Sequence, residues 1–317
     1  MGVIDTLSAG FAIIARRPGV MLIPLALNFF LWLGPQISVQ PLFQQIAGAL
    51  ALPPTVTPSP DLAEMFDSVR IELQTIGQTL NLFEILGLAM PGLIPIGGDS
   101  SVDPKPMARN TLISISDTAS LIGIGAGLLL IGFFLVALYM EGIARSVRPV
   151  SSQAPVLKSY VRITTLVILL GLVGMAVAVP FLTAAALIAP FNPGIGSFII
   201  MLVFIFMLWV LLYLSFAIPA IFVSGAGARQ AIAHSVAVFR FNFRSAMGLV
   251  LMVYLIQSGL SVVWDQLSGS DWGIVVDIAA NAFIASGLIA AVMLFYRDRV
   301  QWMAQARAQV RPSLKGQ

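Results

Sequence analysis

Long apolar runs constrain this chain more than any other feature. A helix needs about 20 largely apolar residues to cross roughly 30 Å of hydrocarbon. Six stretches of the 317-residue sequence reach that length: residues 19–37, 119–143, 163–189, 197–223, 246–264 and 274–296. Hydrophobic residues make up 58% and charged residues 10%, too little polar surface to wrap a water-soluble globule of this size. The expected fold is therefore an all-α integral membrane protein with about six transmembrane helices and additional interfacial amphipathic helices. Pro24 and Pro35 fall in the first run and Pro219 in the fourth; membrane helices accept proline where neighbouring groups satisfy the freed carbonyls.

The charges sort by connection. With residues 1–18 placed inside, the inner segments hold Arg16 and Arg17, then Arg145, Arg148, Lys158 and Arg162, then Arg229, Arg240 and Arg244, and finally Arg297, Arg299, Arg307, Arg311 and Lys315 in the tail 297–317. These are 14 of the 17 basic residues; only Arg70, Lys105 and Arg109 fall outside, together with 11 of the 14 acids. Every connection agrees, as the positive-inside rule requires. Both termini are expected in the cytoplasm and the protein in the inner (plasma) membrane of a cell. The Arg16-Arg17 pair reads as an inner anchor and not as part of a cleavable signal, because the small-residue site Ala49-Leu50-Ala51 lies well beyond the apolar run. Topology accounts for the basic excess, so the expected partner is the lipid bilayer and no nucleic acid is implied.

Residues 38–118 form the one long connection, expected outside the membrane. Breaker-rich stretches, residues 53–60 and 91–106, bracket an expected amphipathic helix over residues 61–90, with Asp61 as its N-cap and Glu64 three residues on. Within it Leu62, Phe66, Val69, Leu73, Ile76, Leu80 and Phe83 recur at alternating spacings of four and three, which winds an apolar seam along one face. Either the protein's own outer surface or the lipid interface covers that seam, or another membrane subunit or a second copy does. On the inner side, short mixed stretches at residues 3–15, 156–161 and 228–243 precede rising spans, a pattern that suggests three similar hairpin units.

Chemistry-bearing groups are sparse. The absence of cysteine excludes disulfides, thiolate metal sites and a cysteine nucleophile. The single histidine, His234, has no acid near it in sequence, and one histidine cannot build a metal site unaided. No cofactor or metal is expected. The interior holds neutral polar residues, among them Asn28, Gln257, Ser286 and Asn281, and one acid within a run, Glu141, with Arg145 one turn on. Such groups ordinarily bridge helices; Asn28, Gln257, Asn281 and Glu141 are the candidates for an intramembrane polar site. Small residues at Ala119, Gly123 and Gly127, and at Gly171 and Gly174, would let another helix come close. Ser224-Gly225-Ala226-Gly227 precedes a helix but lacks the Lys-Ser/Thr ending of a phosphate loop.

From Tyr213 the chain reads Tyr213-Leu214-Ser215-Phe216-Ala217-Ile218-Pro219-Ala220-Ile221, then Gly225-Ala226-Gly227-Ala228-Arg229-Gln230-Ala231-Ile232, then Ser235 and Phe239-Arg240-Phe241-Asn242-Phe243. This resembles the polytopic membrane domain that precedes some bacterial glycerophosphodiester phosphodiesterases, and related uncharacterised bacterial membrane proteins. The resemblance covers about 35 residues directly and implies a fold, with no phosphodiesterase domain attached. The expectation is a non-enzymatic membrane protein, a scaffold or accessory subunit contacting partner proteins or lipids. The alternative is a permease or exporter component for a lipid-like or weakly polar substrate.

Overall fold

The structure, a computed structural model, describes residues 2–50, 60–87, 90, 111–148, 155–267 and 271–313. In chain order these form α1 (Val3–Arg16), a 3-10 turn (Pro18–Met21), α2 (Leu22–Leu33), β1 (Gln36–Ser38), α3 (Gln40–Ala49), α4 (Pro60–Thr79), a second 3-10 turn (Leu82–Gly87), β2 (Thr111–Ser114), α5 (Thr118–Val147), α6 (Val156–Ile188), α7 (Pro193–Leu214), α8 (Ala217–Ser224), α9 (Ala228–Phe241), α10 (Phe243–Leu267) and α11 (Asp271–Ser313). The breaker-rich residues 53–59 and 91–106 lie outside the described set, as does the side chain of Leu62.

Among the described residues, five helices are long and apolar enough to cross a membrane: Thr118–Val147, Val156–Ile188, Pro193–Ser224, Phe243–Leu260 and Trp272–Ala306. A sixth span exists only if α1 and the segment Pro18–Leu33, bent by 90° at their junction, are taken as one. The chain is thus an all-α, multi-pass membrane protein. The run 19–37 is not one straight span. Pro18 drives Arg17 out of the helical region, to φ −137° and ψ 63°. The 12 residues of α2 then reach only about 18 Å. The fourth run is also interrupted: Pro219 has no N–H to offer the carbonyl four residues back, and the helix breaks at Ser215 and Phe216 before α8 resumes. The inner stretch 156–161 is the first turn of α6 itself, so of the three stretches before rising spans only α1 and α9 are separate helices.

The chain divides into two compact units. The first comprises Met1–Val20, Ala137–Leu260 and Phe283–Gln317; the second comprises Met21–Val136 and Ser261–Ala282. In the first unit α1 lies on α11 at a crossing of small residues. A Cβ on Gly10 would stand 2.6 Å from the Ala291 nitrogen and the Gly287 oxygen, while Phe11 covers Gly287 and meets the Phe283 ring at 5.7 Å. Along α8, Ala217, Pro219, Ala220, Ile221 and Phe222 are buried, and Phe216 stacks on Phe295 of α11 at 5.5 Å. The α6–α7 hairpin behaves differently. It is tight at its tip, where a Cβ on Gly196 would lie 2.9 Å from Ala189. Yet only 6% of each apolar window is buried in the chain, against 67% for α11. The small residues Gly171 and Gly174, expected to admit another helix, have nothing within 4 Å of an added Cβ, and neither do Gly123 and Gly127 of α5 in the second unit.

In the second unit β1 and β2 pair in parallel, Gln36 opposite Thr111 and Ser38 opposite Ser114. Helices α3 and α4 pack on each other, closest at Gly77, whose missing side chain admits Phe43. The helix expected over 61–90 runs from Pro60 only to Thr79. Asn81 then takes over: its Oδ1 accepts from the backbone N–H groups of Ile37 and Phe83, and the chain turns into Leu82–Gly87. That turn packs against α5. A Cβ on Gly132, near the middle of α5, would lie 2.7 Å from the Leu86 carbonyl oxygen, and Phe83 packs edge-on against Phe30 of α2 at 5.1 Å. The run Leu82–Met90 is apolar but too short to be a span.

Candidate functional site

Polar side chains of the first unit gather where α5 ends and α6 begins. Glu141, with 1% of its side chain exposed, accepts from Arg148 Nη2 at 2.7 Å and from Ser159 Oγ at 3.3 Å, both on Oε2. Its Oε1 has no hydrogen bond and faces Arg145 Nε at 3.9 Å; half of the Arg145 side chain is open to the surroundings. A carboxylate this deep persists because a guanidinium sits against it. The ion pair stays at the end of α5, and the Ser159 hydrogen bond ties it to the start of α6.

Other groups join the same region. Tyr296, buried on α11, brings its hydroxyl to 3.0 Å from Ser224 Oγ and 3.2 Å from His234 Nδ1. Arg297 Nη1 donates to the Val147 carbonyl at 2.8 Å, Arg17 Nη1 reaches Ser146 Oγ at 3.4 Å, and Arg299 lies over the Phe295 ring at 4.9 Å. Gly225 adopts φ +64° to end α8, with Arg162 Nη1 3.4 Å from where its Cβ would be. Left-handed backbone of this kind favours glycine.

Ser235 holds the helix break open. Its Oγ donates to the Tyr213 carbonyl at 2.7 Å and accepts the Phe216 N–H at 3.0 Å, so one hydroxyl satisfies both a donor and an acceptor that the interruption leaves unmatched. Proline, glycine, the alanine-rich helix and the serine of residues 213–243 therefore each have a local structural task. Higher in the first unit, Tyr139 Oη and Ser286 Oγ meet at 2.7 Å, both buried.

The four residues singled out for an intramembrane polar site divide between the two units. Glu141 is committed to its ion pair, and Gln257, half-buried on α10, belongs to the same unit without a hydrogen bond to it among the described residues. In the second unit Asn28 Nδ2 donates to the Pro24 carbonyl at 3.0 Å, and Asn281 Nδ2 to Asp277 Oδ1 at 3.4 Å. Each Asn is answered within its own helix, which removes the cost of burying it.

The seam is likewise divided. Phe66 and Leu73 share a line of α4 with the buried Gly77 and are half-buried, whereas Val69, Ile76 and Leu80 beside that line remain 44%, 37% and 37% exposed. Phe83 has left the helix for the 3-10 turn. The grouping of Ser224, His234 and Tyr296 went unseen in the sequence because 62 residues separate the histidine from the tyrosine and no spacing rule links them. In it the serine meets the tyrosine, not the imidazole, so it is not a nucleophile with an adjacent base. Among the described residues no group of three metal-ligating side chains assembles. Comparison with protein-family models, curated proteins and solved structures found no match to this chain.

Proposed function

We propose that this protein is a non-enzymatic membrane subunit or scaffold that contacts lipids and neighbouring membrane proteins, chiefly through the α6–α7 hairpin. The observation that carries the reading is the isolation of that hairpin: 6% of either apolar window is buried within the chain, and Leu172, Phe191, Phe204 and Leu211 are between 64% and 89% exposed. Two helices of this length add little to the packing of their own chain, so their apolar surface is matched by something outside it. A permease is less well supported, because Asn28 and Asn281, two of the neutral groups it would use, are each hydrogen-bonded within their own helix.

In this reading both termini face the cytoplasm and the membrane is the inner (plasma) membrane. Supporting it, the first unit holds 14 basic residues and three acids (Asp5, Glu141, Asp298), while the second holds 11 acids and three basic residues (Arg70, Lys105, Arg109). A division made by packing alone thus coincides with the division made by charge. The likeness of residues 213–243 to phosphodiesterase-associated membrane domains fits a fold of this type and adds no activity.

The test uses the natural absence of cysteine. Phe204→Cys and Leu211→Cys are cross-linked in membranes, and the untagged neighbours are identified by mass spectrometry after isolation in mild detergent. Specific protein adducts at these positions and not at Ile4→Cys are expected. A clean monomer that carries neither partner nor bound lipid would overturn the proposal.

A further inference from the structure

Helix α9 has two faces. Ala231, Ser235, Val238 and Phe239 are buried against the first unit, while Arg229, Ala233, Arg240 and Phe241 lie on the opposite side and are exposed. Its C-terminal end is fixed in depth. Only Asn242 separates it from the span Phe243–Leu260, and the Phe239 ring packs on Tyr213 at 4.9 Å and on Phe243 at 5.5 Å. Tyr213, near the end of α7, meets Trp209 at 6.3 Å. Tyr and Trp at the end of an apolar run mark the boundary between hydrocarbon and headgroups, so the junction of α9 and α10 lies at that boundary.

The junction reads Arg240-Phe241-Asn242-Phe243-Arg244. Asn242 makes its corner: Nδ2 donates to the Val238 carbonyl at 3.2 Å, and the Asn242 carbonyl accepts the Ala246 N–H at 2.8 Å. Both arginines are exposed, and Phe241 and Phe243 are 67% and 42% exposed. Neither arginine has an ion pair among the described residues. By sequence the first unit has three acids, each occupied elsewhere: Asp5 accepts the Gly2 N–H at 3.1 Å, Glu141 faces Arg148 and Asp298 faces Arg297. The charge is thus left to be answered from outside the unit. An acidic soluble partner would satisfy the arginines and leave two phenyl rings in water. An anionic lipid satisfies both, with phosphate at the guanidinium groups and acyl chain at the rings.

We propose that the segment Arg240–Arg244, where α9 turns into α10, is a binding site for the headgroup of an anionic phospholipid. Arg240 and Arg244 supply the positive charge, and Phe241 and Phe243 enter the acyl boundary beside it. The site lies outside the α6–α7 hairpin and depends on nothing that the hairpin contacts.

The test uses the full chain with the single substitution Ala237→Cys, one helical turn before Phe241, carrying a fluorophore in phosphatidylcholine nanodiscs. Phosphatidylglycerol or phosphatidylcholine bearing a nitroxide high on one acyl chain is added at equal mole fraction. Stronger quenching by the phosphatidylglycerol probe is expected, by up to about fivefold for each arginine near the surface. Adding Arg240→Gln and Arg244→Gln should make the two probes equal. Raising salt to about 1 M, where the screening length falls to about 3 Å, should do the same without touching the arginines, which keeps the claim testable if the double variant fails to fold. Equal quenching by both probes at low salt would overturn the proposal, as would no quenching by either, which is the result for a face in water or under protein. A preference that survives the double variant or the high salt would also overturn it. The adducts at Phe204→Cys and Leu211→Cys are read separately, and the arginine substitutions should leave them unchanged, so either reading can fail alone.

Discussion

Replacing Gly10 by alanine tests the tightest helix crossing in the first unit. The added Cβ would lie 2.6 Å from the Ala291 nitrogen and the Gly287 oxygen and 2.7 Å from the Ala291 Cβ. Ordinary carbon contacts begin near 3.5 Å, and two of these three atoms are helix backbone that cannot rotate aside. Helices α1 and α11 must therefore separate by about 1 Å, a forced overpacking that costs about 1–3 kcal/mol. Alanine in place of glycine also gains helix propensity, up to about 1 kcal/mol. That gain appears alone in Gly171→Ala and Gly174→Ala, where the added methyl meets nothing within 4 Å. The difference between Gly10→Ala and Gly171→Ala thus isolates the crossing, and about 1.4 kcal/mol of it is a tenfold shift in the unfolding equilibrium. Titration of each variant from mild detergent into dodecyl sulfate, followed by far-ultraviolet circular dichroism, measures it. Equal midpoints for the two variants would refute the close approach of α1 to α11.

Three further outcomes are expected. Arg148→Met strands the Glu141 carboxylate and should cost about 3–5 kcal/mol, moderated by Arg145 at 3.9 Å, while Glu141→Gln with Arg148→Met should recover much of the loss. Strict additivity in the same denaturation assay would show that the pair is not coupled. Ser235→Ala leaves the Phe216 N–H and the Tyr213 carbonyl without their shared partner and should destabilise by about 1–3 kcal/mol; no change in thermal unfolding would mean that the helix break does not need the serine. Asp117 caps α5 by accepting the Ser120 N–H at 2.8 Å, and that hydrogen bond holds its carboxyl below the usual range. Its contribution is therefore present above the ordinary aspartate value and lost as pH falls through the depressed one. The protection of the Ser120 amide relative to its intrinsic exchange rate should fall at acid pH in the wild type and be low at every pH in Asp117→Ala, and a pH-independent protection in the wild type would contradict the cap.

Within the chain, apolar run length was enough to place five long helices, because a 20-residue uncharged stretch has few alternatives to the bilayer. It was not enough at residues 19–37, where Pro18 and a 90° bend shorten the helix. The candidate site was legible only where partners are close in sequence. Glu141 with Arg145, one turn apart, was visible; the nearer partner Arg148, Ser159 across the α5–α6 connection, and the Tyr296 hydroxyl shared by Ser224 and His234 were not.

The sequence by itself determined that hydrocarbon is the solvent and that basic and acidic residues part company, since both depend on composition summed over long stretches. Tertiary structure alone decided which glycines matter. Gly123, Gly127, Gly171 and Gly174 look like contact surfaces and face open space, while Gly10, Gly77 and Gly132 accept a neighbouring side chain or backbone at less than van der Waals distance for any larger residue. A glycine reports only that a helix could come close, and whether one does depends on where the rest of the chain goes.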